Sequence, residues 1–172
     1  MNKTFKRLLP LLVCLAAIAL LLSGCGKKEE AEPVAPKGGV GLTIDKNAGA
    51  YVAPQAETES KPGVAIPGWG SFTFPPDTVE LTNMVDFYNP DANEGYYYLT
   101  FELRLPDDSE QGYEVLYASQ LVPAGMHIQT ITLNRPLEAG EYEAIVHVQP
   151  YTADDSLTPT NNADMKTTLY VK

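Results

Sequence analysis

The chain has 172 residues with 12 basic and 22 acidic side chains, a net charge of −10 at neutral pH. That length supports one ordinary domain plus flanking segments, and the acidity argues against nucleic acid or anionic lipid as a partner. There are only two cysteines and two histidines, and both cysteines lie in the first 25 residues.

The chain opens with Lys3, Lys6 and Arg7, followed by an apolar run from Leu8 to Leu22 that Pro10 alone interrupts. The run is short for a membrane span, which needs about 20 residues, and suits the apolar part of a signal peptide. It ends in Leu22-Ser23-Gly24-Cys25. These four residues resemble the lipobox of bacterial lipoproteins, a likeness confined to residues 1–25. The resemblance implies cleavage before Cys25 and a diacylglycerol on the Cys25 sulfur. Stable anchoring takes two acyl chains, and a diacylglycerol supplies them. The expected location is the extracytoplasmic face of the cell membrane, held by lipid.

On that reading Cys14 is removed with residues 1–24 and Cys25 is consumed by lipid. The mature domain then has no disulfide, no thiolate nucleophile and no sulfur ligand for a metal. The discarded segment carries three basic residues and no acid, so the mature charge falls from −10 to −13.

Residues 25–63 are rich in Pro, Ala, Gly, Glu and Ser. Such a composition buries too little apolar surface to offset the entropy of ordering, so a disordered tether is expected. Within it, Gly41-Leu42-Thr43-Ile44-Asp45 with Tyr51 and Val52 reads in two ways. It is a strand-like patch, or it is more extended spacer.

From Val64 the pattern changes to strict alternation, the mark of half-buried strands. Phe72 and Phe74 alternate before Pro75-Pro76. Val79, Leu81, Val85 and Phe87 share one parity. Tyr97, Leu99, Phe101, Leu103 and Leu105 form the cleanest inward face, with Tyr96, Tyr98, Thr100, Glu102 and Arg104 on the other side. A fourth strand is expected over Tyr113 to Ser119. A fifth spans His127 to Leu133, where the change of parity between Ile128 and Ile131 predicts a bulge. The sixth carries Tyr142, Ala144, Val146 and Val148, and the last Met165, Thr167, Leu169 and Val171. No stretch of this domain has a helical period.

The expected fold is all-β: an immunoglobulin-like β-sandwich of about seven strands over residues 64–172. Leu137-Glu138-Ala139-Gly140-Glu141-Tyr142 resembles the tyrosine corner of immunoglobulin-like and fibronectin-type domains. The likeness implies that Tyr142 opens the sixth strand and bonds an upstream backbone group, with Leu137 and Gly140 shaping the corner. Ala144 stands where an antibody-type domain has its second cysteine, and Trp69 precedes the first strand. Both depart from the antibody pattern. The C-terminal segment also resembles small lipoproteins of Gram-positive gut bacteria for which no activity is known.

Candidate chemistry is sparse. His127 and His147 could hold a metal only if paired across a sheet, and no carboxylate cluster accompanies them in spacing. Asn89-Pro90-Asp91-Ala92-Asn93-Glu94-Gly95 has oxygen donors at alternate positions. It lacks the glycine at the sixth position and the glutamate at the twelfth that an EF-hand loop requires, so a hairpin loop is expected. No nucleophile elbow or phosphate-binding glycine loop is present. No catalytic residue, cofactor or metal is therefore assigned.

The surplus is tyrosine: ten, against five phenylalanines and one tryptophan. Tyr88, Tyr96, Tyr98, Tyr117 and Tyr151 are candidates for exposed positions, and Tyr96 and Tyr98 for a binding face. Tyrosine suits contact with sugars or proteins, and strand propensity alone also favours it. Two function classes follow: a non-catalytic module that docks a protein of the envelope, and a carbohydrate-binding module for a surface glycan.

Overall fold

The computed structural model describes residues 41–52 and 63–172, all within one unit of the chain, Pro33–Lys172. The signal segment, Cys25 and most of the tether lie outside the described residues.

Eight strands form among the described residues: β1 Ala48–Ala50, β2 Ser71–Phe74, β3 Glu80–Asn89, β4 Tyr97–Pro106, β5 Tyr113–Ala118, β6 Met126–Thr132, β7 Gly140–Thr152 and β8 Ala163–Val171. They make a five-stranded sheet in the order β2-β8-β7-β4-β5 and a three-stranded sheet in the order β1-β6-β3. All seven strands expected from alternation are present. Strands β3 and β6 share one sheet while β4, β7 and β8 share the other, as B and E against C, F and G in an immunoglobulin-like sandwich.

The alternating residues meet between the sheets. Leu81, Phe87, Leu99, Phe101, Leu103, Ile128, Ile131, Val146, Val148 and Leu169 are fully buried. Phe87 is the centre of an aromatic cluster. It stacks on Phe101 at 5.5 Å and Tyr117 at 5.9 Å, and it meets Trp69 and Phe72 edge-on. Such pairs contribute about 0.5–1.5 kcal/mol each beyond area burial. Trp69 reaches this core from the segment before β2, and its indole N–H donates to the Asp86 carbonyl at 2.7 Å. A cysteine-free sandwich thus places its tryptophan between the sheets by another route.

Three sequence expectations need correction. First, the fold begins before Val64. Residues 41–52 form an arm whose β1 pairs antiparallel with β6, Ala48 opposite Ile128 and Ala50 opposite Met126. This is the place beside β6 that a D strand occupies in such sandwiches. Composition hid the arm because backbone hydrogen bonds and Asp45, rather than an apolar run, hold it. Second, the register of the β3–β6 pair does slip, but the surplus lies on β3: Asn83, Met84, Val85 and Asp86 stand opposite Gln129 alone. Asn83 takes a φ of 58° there, a left-handed conformation that asparagine tolerates better than most residues. Third, Tyr117 is buried, not exposed. The β4–β5 register shifts between Leu103 and Arg104, and that shift turns Tyr117 inward.

One end of the sandwich is tied by two buried amides. The Asn89 side chain donates to the carbonyls of Tyr97 and Val122, and that of Asn93 donates to Ala65 O and Asn89 Oδ1. Gly125, at a φ of 71°, turns the chain into β6, and a Cβ there would sit 2.6 Å from an Asp91 carboxylate oxygen.

Candidate functional site

The outward face of the five-stranded sheet carries a linked set of polar and aromatic side chains. Register places them in rows across the strands. Tyr98 of β4 stands opposite Tyr151 of β7, and Thr100 opposite Gln149. Glu102 stands opposite His147, which in turn faces Asp164 of β8. Arg104 stands opposite Ile145, which faces Lys166.

The third and fourth rows are linked by charge. Arg104 bonds Glu102 through Nε at 2.7 Å and a terminal nitrogen at 2.6 Å, and a second terminal nitrogen lies 3.8 Å from Asp164. His147 Nδ1 is 2.6 Å from Asp164 Oδ1. The Arg104 guanidinium also lies 4.1 Å above the centre of the Tyr113 ring, a cation–π geometry. Arg104, Glu102 and Asp164 are thus each held by at least one neighbour. Burial, with the charge of Glu102 adding to it, pushes the Tyr151 hydroxyl above its ordinary pKa. It therefore remains a protonated donor at any physiological pH. At the fourth row a shallow depression of about 470 Å³ is lined by Pro106, Glu143, Ile145, Lys166 and Thr168.

Tyr98 belongs to this face and is half-buried. Tyr96 precedes β4, is 66% exposed, and accepts the Ala153 N–H at its carbonyl. The structure therefore pairs Tyr98 with Tyr151 across the strands. Register between strands 53 residues apart cannot be read from alternation, so Tyr151, a candidate for an exposed position, was not paired with Tyr98, and Asp164 was not singled out. The outward parity of Glu102 and Arg104 was legible.

The two histidines sit in different sheets, each beside an aspartate. His127 Nδ1 is 2.7 Å from Asp86 Oδ1 on the three-stranded sheet, where Tyr51 of the arm stacks on Tyr88 at 4.3 Å and meets His127 edge-on. Among the described residues no group of three or more His, Cys, Asp or Glu side chains could hold a metal ion. In the Asn89-to-Gly95 loop, Asn89 and Asn93 are committed to structural hydrogen bonds, and Asp91–Asn93 forms a short 3-10 turn.

The corner motif has its expected geometry. The Tyr142 hydroxyl donates to the Glu138 carbonyl at 2.9 Å, Leu137 is buried, and a Cβ on Gly140 would touch the Tyr142 ring at 3.4 Å. No family model, curated protein or solved structure matches the chain.

Proposed function

We propose that this chain is an extracytoplasmic lipoprotein, acylated at Cys25, whose sandwich is a non-catalytic module docking a protein partner of the envelope. The observation that carries the docking reading is the linked set Arg104, Glu102, His147 and Asp164 beside Tyr98, Tyr113 and Tyr151. Its charged groups are held in place on a rigid sheet, so little ordering cost is left to offset on binding. Paired aromatic and charged side chains of this kind favour a polar protein surface.

A carbohydrate partner is the second reading, favoured by one feature. The aromatic row of Tyr98 and Tyr151 is followed directly by two polar side chains, Thr100, whose hydroxyl donates to Gln149 O, and Gln149, whose amide donates to Pro150 O and Thr160 O. Flat rings beside amides and hydroxyls suit a sugar chain.

The test is to crosslink the lipidated protein in its native envelope, alongside a Tyr98→Ser/Tyr151→Ser variant. A crosslinked partner that disappears in the variant is the expected result. An unchanged crosslinking pattern refutes docking through this face, and retention on a glycan array that the variant loses selects the carbohydrate reading. Separately, Cys25→Ala should abolish palmitate labelling; persistent labelling refutes the anchor.

A further inference from the structure

Away from that face, a groove of about 350 Å³ runs between the arm and β5, with Asp45, Lys46, Tyr117, Gln120 and Asn134 in its lining. Its volume is at the lower end of the range for small-molecule pockets. Tyr117 is 6% exposed and its ring is locked against Phe87. Its hydroxyl is buried and has no hydrogen-bond partner, the one side-chain polar atom among the described residues of which this is true. Buried polar groups are nearly always paired, so an exception needs an explanation. Burial, reinforced by the nearby charge of Asp45, pushes the hydroxyl well above its ordinary pKa, so it offers a proton.

Asp45 is itself buried. One of its oxygens accepts the Asn47 N–H at 2.8 Å, the other the Gln120 N–H at 2.7 Å. A carboxylate has about four acceptor sites, so acceptor capacity remains after these two bonds. Tyr117 and Asp45 both line the groove, so its wall holds a hydroxyl donor and a carboxylate acceptor. The carboxylate repels anions, and Lys46 at the rim disfavours cations. Neutral hydroxyl groups, which accept and donate at once, fit both partners.

We propose that this groove binds a small neutral polyhydroxyl compound of monosaccharide size, whose hydroxyls accept from Tyr117 and donate to Asp45. Tyr117 belongs to β5 and Asp45 to the arm, so the bound compound also ties the arm to the edge of the five-stranded sheet. The inference is independent of either reading of the outward face.

The test is an amide NMR titration of the full chain in detergent micelles with glucose, galactose and N-acetylglucosamine. Saturable shifts are expected at Asn47 and Gln120, with affinity at least tenfold weaker in Tyr117→Phe. That variant removes an unpartnered group and should fold. Asp45→Asn, which keeps the side chain's size, should weaken binding as well. No saturable shift with any of the three sugars overturns the proposal, as does full affinity in Tyr117→Phe. Shifts confined to β4 and β7 and lost in Tyr98→Ala would also overturn it, and would place sugar binding on the outward face.

Discussion

The two sheets of the sandwich are held together in different ways. The five-stranded sheet has long unbroken ladders, β4 against β7 from Tyr97 to Arg104 and β7 against β8 from Gly140 to Val148. The three-stranded sheet has one ladder with a slipped register and a third strand of three residues from the arm. Its cohesion depends on contacts far apart in sequence: Asp45 with Gln120, Ile44 beside Leu121, and Tyr51 on Tyr88. A continuous ladder distributes stability over many residues. An arm held by a few buried polar contacts concentrates it, so the small sheet is where single side chains should matter locally.

The sharpest contrast should come from the shared core. Phe101→Ala, which removes a ring stacked on Phe87 between the sheets, should cost about 3–5 kcal/mol in a denaturant unfolding curve. Both sheets should lose amide protection together, because Phe101 belongs to their common interface.

Asp45→Ala should separate them. It strands two amide donors, and the expected loss is about 1–3 kcal/mol. Hydrogen exchange should quicken at Asn47, Gln120 and Leu121 while β7 and β8 keep their protection. Equal acceleration in both sheets would remove the distinction drawn between them.

Tyr142→Phe tests the five-stranded sheet by the same criterion. Loss of the bond to Glu138 O should cost about 1 kcal/mol, with no change in exchange at the arm. An unaltered unfolding midpoint would show that the corner bond contributes nothing.

The smallest effect is expected at the β5 edge, where Arg135 grips Glu114 with two bonds of 2.7 Å. The hydrogen bond from Arg135, with its charge adding to it, holds the Glu114 carboxyl below its usual range against the opposing effect of burial. A lowered folded-state pKa stabilises above the unfolded value and is lost as pH falls through the folded one. Both side chains are at least a third exposed, so solvent screening limits the pair to less than about 1 kcal/mol. Glu114→Gln should therefore lower stability slightly at pH 7, and the difference should vanish in acid. A deficit that persists at acid pH would assign the loss to packing.

Alternation in the sequence determined the all-β class, the seven strands from Phe72 to Val171, and the burial of Phe87, Leu99, Phe101 and Val146. It could do so because a half-buried strand writes its period of two directly into residue type. The corner at Leu137 to Tyr142 was equally legible, since its hydrogen bond spans only four residues. The tertiary structure decided what depends on register between distant strands. It placed Tyr98 beside Tyr151 and His147 between Glu102 and Asp164, turned Tyr117 inward, and recruited Ala48–Ala50 to complete the small sheet. A one-residue slip exchanges the faces of a strand, and that slip is set by bulges and packing that no local pattern records.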